Sequence, residues 1–145
     1  MSPAYSFGGT WTVPFPVPRV QEVLVDLEHY PEWWPQVLAV AKVGEDDARV
    51  LCRSVLPYTL DLLLHSERRE PTALETSLAG DLSGWVRWDL TAVQGGTRLD
   101  FAQEVRVTGR PLGAASYVAK PVLRWNHDRM MAGCIAGLER RLATR

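Results

Sequence analysis

Between residues 37 and 108 apolar and polar positions alternate with a period of two, in segments near 37–44, 47–56, 59–70, 73–80, 84–94 and 97–108. The segments are separated by GEDD, EPT, GDLSG and QGGT, which are turn-forming sequences. This is the pattern of a meander of antiparallel strands, each with one buried and one solvated face. Ahead of it, YSFGGTWTV is short, aromatic and β-branched and reads as an edge strand over about 5–13, stopped by Pro14, Pro16 and Pro18. Pro18 suits a first helical turn, and Val20, Val23, Leu24 and Leu27 follow at helical spacing, so an amphipathic helix is predicted over about 18–28. Pro31 and Pro35 should end it by Tyr30 and leave HYPEWWP at most one further helical turn. After GRPLGA the period returns to that of a helix, from about Tyr117 to Leu142, with Pro121 near its start.

Alternation also sorts the side chains by face. In the last strand Leu99, Phe101, Gln103, Val105 and Val107 share one face, opposite Arg98, Asp100, Glu104 and Arg106. Gln103 is the polar exception on that inner face. In the strand before it Val86, Trp88, Leu90 and Ala92 face in, with Arg87 and Asp89 outside. In the 59–70 strand Leu60, Leu62, Leu64 and Ser66 face in, opposite Asp61, His65 and Glu67, which makes His65 a surface residue; Arg53 falls on the outer face as well. On the long helix Leu142, Leu138, Cys134, Met131 and His127 form one stripe with Ile135 at its margin. That stripe should lie against the inner face of the sheet.

Composition narrows the class. A chain of 145 residues, 46% hydrophobic and 23% charged, fits a single globular domain over 1–145 with a core that needs no metal or disulfide. Cys52 and Cys134 have no CxxC or CxxH neighbour and read as reduced, buried thiols. No apolar run is long enough to span a membrane, and MSPAYSFGG lacks the pattern of a signal peptide, so the cytoplasm is the expected compartment and stable membrane insertion is not expected. The net charge of −1 conceals 7 basic and 13 acidic residues over 1–96 against 9 and 4 over 97–145. Such a division either pairs across solvated faces or offers a basic C-terminal surface to an anion or a protein partner. A continuous Lys/Arg cluster is lacking, which argues against nucleic acid.

The order of strand, interrupted helix pair, six-strand meander and long C-terminal helix, with D-x-E-x-Y-P-x-W-W-P at Asp26–Pro35, LPYTL at Leu56–Leu60, Gly80-Asp81-Leu82, Trp88-Asp89-Leu90, Gly96-Thr97 and WNHD at Trp125–Asp128, resembles the START-like (SRPBCC) superfamily, in its polyketide cyclase/dehydrase-like branch. The resemblance implies an α+β helix-grip fold. In it, a curved antiparallel sheet of about seven strands wraps a long C-terminal helix, and two short helices after the first strand form part of the rim of an apolar cavity. HYPEWWPQV would then join the second short helix to the second strand, its tryptophans closing one end of the cavity.

The candidate ligand-binding residues are Trp34, Leu62, Trp88, Phe101, Gln103, His127 and Met131. His127 is able to move a proton at a carbonyl or enol, or else is a structural histidine bonded to a neighbour such as Asp128 or to strand backbone. Gln103 either fixes a ligand oxygen or makes an internal bond. Tyr58 either points into the cavity mouth or covers a turn. Helical Met131 is cavity lining or plain core. Phosphate loops, H-E-x-x-H and G-x-S-x-G are absent, and the inward faces carry no Asp or Glu, so no cofactor, metal or hydrolytic triad is expected. The leading expectation is a binder of a hydrophobic small molecule such as a polyketide-like, polycyclic or lipid compound. Its alternatives are a cofactor-independent cyclase, aromatase or dehydratase with His127 or Tyr58 catalytic, and a protein interaction module; a homodimer is left open.

Overall fold

The computed structural model describes residues 4–53, 59–107 and 120–144. Strand β1 (Ala4–Val13) leads into helix α1 (Val17–Val25) and a 3₁₀ segment (Leu27–Glu32). Strands β2 (Val37–Lys42), β3 (Asp47–Arg53), β4 (Thr59–Glu70), β5 (Ala73–Gly80), β6 (Leu82–Val93) and β7 (Gly96–Val107) follow, then helix α2 (Lys120–Ala143). All seven strands form one sheet in the order β1-β7-β6-β5-β4-β3-β2, with every pairing antiparallel. The meander is thus continuous from β2 to β7, and β1 closes onto β7 as an edge strand. This is the expected α+β helix-grip architecture. Register then fixes neighbours: Phe7 and Val86 both stand opposite Gln103, from β1 on one side and β6 on the other.

Proline sets the entry to α1, with Pro16 at its N-cap and Pro18 in its first turn, where a missing N–H costs no helical bond. Its apolar stripe buries Val20, Val23 and Leu24 as the spacing predicts. The α-helical part stops at Val25, short of the expected 28, and Pro31 does not break the chain but lies within the 3₁₀ segment. A proline φ near −65° falls inside the 3₁₀ range, and only one local N–H is lost. Asp26 accepts from the His29 N–H and Tyr30 from the Trp33 and Trp34 N–H groups, so the turn retains its backbone bonds around the proline.

The tightest packing lies toward the end of α2. Leu138, Leu142 and Cys134 are fully buried there with Val13, Val20 and Leu99. Arg19 of α1 donates to the carbonyl of Leu142, satisfying one of the acceptors that a helix end leaves over, and Arg141 pairs with Glu32 at 2.7 Å. Pro121 sits in the first turn of α2 as anticipated. Ala92 shares the inward parity of β6 yet is exposed near the β6–β7 turn, although its partner Thr97 is buried and donates to the Phe15 carbonyl.

Two glycines on α2 separate close packing from mere proximity. A Cβ on Gly137 would lie 1.7 Å from the Trp33 carbonyl oxygen, whereas one on Gly133 would meet the end of the Gln36 side chain, which can move aside. We expect Gly137→Ala to destabilise the fold by about 1–3 kcal/mol, despite the gain in helix propensity. Gly133→Ala should be neutral or stabilising by up to about 1 kcal/mol. Urea unfolding midpoints of the two variants check this; equal midpoints would contradict the packing described.

Candidate functional site

A cavity of about 220 Å³ lies between the sheet and the half of α2 nearer its start. Its walls follow from strand alternation: Leu60, Leu62 and Leu64 of β4, Leu74, Thr76 and Leu78 of β5, and Leu82, Val86 and Trp88 of β6 all line it. Phe101, Gln103 and Val105 of β7 continue the surface, with Tyr5 and Phe7 of β1 beyond them. From α2 come Asn126, His127, Met130 and Met131, which recur at the one-turn spacing of a helix face. Tyr30 and Trp34 close the side under the 3₁₀ segment.

Each ligand-binding residue expected from the sequence reaches this wall: Trp34, Leu62, Trp88, Phe101, Gln103, His127 and Met131. Tyr58 lies outside the described residues. The two tryptophans of HYPEWWPQV part company, since Trp34 lines the cavity while Trp33 is buried against Gly137 of α2 and does not. The Trp34 indole N–H donates to the Met130 carbonyl at 3.1 Å, tying the rim to the helix. Along the α2 stripe, His127 and Met131 line the cavity, while Cys134, Leu138 and Leu142 belong to the closed core.

The two inward polar side chains expected from the sequence find each other. His127 Nε2 and Gln103 Oε1 are 2.8 Å apart, so the histidine partner is a strand side chain rather than Asp128 or strand backbone. With a carbonyl oxygen facing it, Nε2 carries the hydrogen and donates. The imidazole also stacks on Phe7, with centroids 3.9 Å apart and planes at 11°, and leans toward Phe101 at 5.8 Å. Burial among these rings lowers the His127 pKa to about 4, outweighing the pull of Asp128, while Arg124 pushes the same way as burial. The ring is therefore neutral at pH 7.

Other titratable groups at the wall are quiet. Cys52 is pushed up to about 11 by burial and stays a thiol, and burial raises the Cys134 thiol of the closed core as well. Tyr30 is raised by burial and gives its hydroxyl hydrogen to the Leu24 carbonyl. Among the described residues no Asp, Glu, Lys or Arg lines the cavity, and no group of His, Cys, Asp and Glu is placed to hold a metal ion. The charged groups stand outside: Asp26, Glu28, Asp46, Asp47, Arg68 and Arg69 edge a separate surface groove. Leu24, Leu27, Leu64, Leu74 and Thr76 line both that groove and the cavity, forming the wall between them.

Sequence reasoning missed the part of β1 in the site. Phe7 was legible as an inward residue of an edge strand, but its position opposite Gln103 depends on β1 pairing with β7 across the whole chain. Asn126 and Met130 flank the predicted stripe by one position each and widen it into a face.

The chain matches the family described as polyketide cyclase / dehydrase and lipid transport over residues 6–143. None of the curated proteins compared with it matches. Among solved structures it is similar to TTHA0849 from Thermus thermophilus, at 16% identity and a TM-score of 0.84, with 97% of this chain and 98% of that one covered. It is also similar to a START superfamily protein from Mycobacterium smegmatis, at 15% identity and a TM-score of 0.75, covering 96% and 97% of the two chains. The Zhui aromatase/cyclase from Streptomyces sp. R1128 is similar at 15% identity and a TM-score of 0.75, covering 99% and 96%. At these identities the structural likenesses speak for the fold. No helix among the described residues is long and apolar enough to cross a membrane.

The lowered pKa of His127 has a pH signature. A histidine whose folded pKa lies below its unfolded value gives its full contribution above the unfolded value of 6.5 and loses it as pH falls toward the folded value of about 4. His29 and His65 shift upward through their bonds to Asp26 and Asp47, and so act in the opposite sense. Comparing wild type with His127→Gln cancels them. Between pH 7 and pH 4.5 the stability of wild type should fall relative to the variant by about 2 kcal/mol. Denaturant titrations at the two pH values check this, and a constant difference would place His127 in water.

Proposed function

The chain belongs to the polyketide cyclase / dehydrase and lipid transport family, in the START-like helix-grip superfamily, and from that premise we propose that it binds a small hydrophobic molecule between the sheet and α2. The observation that carries this reading is the apolar, uncharged cavity itself. Leucines and aromatic rings make up most of its wall, and the sheet spends Leu62, Trp88 and Phe101 on lining a space instead of filling it. Interiors close-pack, so an unfilled space of this size forfeits contacts that a bound molecule would restore.

Size narrows the ligand. A cavity of about 150 Å³ holds benzene, so about 220 Å³ suits one or two rings or a short acyl chain. For about twelve non-hydrogen atoms at roughly 0.5 kcal/mol each, within the usual ligand-efficiency range, binding comes to about 6 kcal/mol. That corresponds to a Kd of some tens of micromolar.

The family also contains cyclases and dehydratases, and a cyclase-like enzyme is the second reading, with His127 in contact with substrate. Its support is weaker. A ring with a pKa near 4 is a poor proton acceptor and is not an acid at neutral pH, and a long poly-β-ketone would need a larger space than the described walls enclose. Turnover of such a substrate, lost in His127→Gln with affinity retained, would favour the second reading.

Calorimetry with 2-methylnaphthalene tests the binding reading. We expect one molecule per chain with a Kd of some tens of micromolar. Leu62→Trp, which fills the cavity, should weaken binding at least tenfold, roughly, with far-ultraviolet circular dichroism unchanged. Trp34→Ala should weaken it as well. Equal affinity in wild type and Leu62→Trp would place the ligand elsewhere and overturn the reading.

A further inference from the structure

Resting on the binding reading, we propose that the cavity selects neutral apolar molecules bearing one hydrogen-bond-accepting oxygen, such as an aromatic ketone, and that the carboxamide N–H of Gln103 is the donor that reads it. Gln103 lines the cavity, and its Oε1 is taken by His127 Nε2 at 2.8 Å. Nothing among the described residues accepts from its amide nitrogen, which carries two N–H donors. The orientation is held from several sides. His127 is clamped by its stack on Phe7, and Phe7 and Val86 stand in register on either side of Gln103.

Two other strong donors along the wall are already spent. The Tyr30 hydroxyl donates to the Leu24 carbonyl and the Trp34 indole to the Met130 carbonyl. Tyr5 and Asn126 are engaged in contacts of their own. A ligand oxygen entering beside His127 therefore meets the Gln103 amide as an open donor, while the Thr76 hydroxyl lies on the wall shared with the surface groove. It meets no opposite charge: the described lining contains no Asp, Glu, Lys or Arg. Arg124 lies over the Phe7 ring at 5.6 Å and bonds the Ser6 carbonyl, but it is exposed and is not part of the wall. Nor does the histidine supply a cation, since burial keeps its pKa near 4. A carboxylate or ammonium would leave water without a counter-ion, which is the costliest way to bury a polar group.

Three ligands on one ring system separate these possibilities: 2-acetylnaphthalene, 2-ethylnaphthalene and 2-naphthoate, each placed in the calorimeter cell at pH 7 with protein titrated in. The ketone should bind about tenfold more tightly than its ethyl analogue, and the carboxylate should bind more weakly than either. In Gln103→Leu, or in Gln103→Met should the first variant not fold, the ketone should lose its advantage, so that ketone and ethyl compound bind alike whatever the change in the affinity they share. An ethyl compound as tight as the ketone in wild type, or naphthoate as tight as the ketone, would overturn the selectivity and leave the binding reading standing. Failure of all three to bind would overturn both.

Discussion

The contact of Gly137 with the Trp33 backbone is the constraint on which the site depends. A helix approaches another backbone this closely only where no side chain intervenes, and a Cβ at Gly137 would overlap the Trp33 carbonyl. That contact, with Leu138, Leu142 and Cys134 buried around it, seats one half of α2 firmly against α1, the 3₁₀ segment and the base of β1 and β7. The other half, carrying Asn126, His127, Met130 and Met131, touches the sheet where His127 meets Gln103 and Phe7, and otherwise faces its leucines across the cavity. One helix thus closes the core with one half and roofs a cavity with the other. The Trp34 bond to the Met130 carbonyl lies where the two halves meet.

Placing a histidine and a glutamine inside such a cavity is tolerable because they are neutral and satisfy each other. A buried charge would need a counter-ion, and a buried lone amide would lose its hydrogen bonds with water. Pairing His127 Nε2 with Gln103 Oε1 settles one bond of each, and the Phe7 stack fixes the ring plane. The same surroundings that hold the ring in place suppress its protonation, so the geometry that makes His127 a good positioning group makes it a weak base and leaves it no proton to give from a cationic form at pH 7. This is why the binding reading accounts for the site with fewer demands than the catalytic one.

Much of this was legible from alternation alone. Period-two patterning placed Leu62, Trp88, Phe101 and Gln103 on inward faces, and helical spacing put His127 and Met131 on one stripe; both survive in the structure because burial on one face is what creates the patterns. What alternation cannot carry is distance across the chain. That Gln103 bonds His127, and that Phe7 stacks on the same ring, depends on β1 crossing to β7 and on the height of α2 above the sheet. Adjacent residues are equally hard to separate, since Trp33 and Trp34 have the same composition signal and opposite fates. The 3₁₀ segment was hidden for another reason: Pro31 is a sound reason to end an α-helix, but its φ suits the tighter helix as well.

The account rests on the space under α2 being a seat for a molecule and on Gln103 pointing into it. A crystal structure of the protein grown with 2-acetylnaphthalene tests both at once. The account expects the rings between Leu62, Trp88 and Met131, with the ketone oxygen within hydrogen-bond distance of the Gln103 amide nitrogen. A ligand bound on the outer surface, or a cavity closed by its own side chains under saturating ligand, would contradict it.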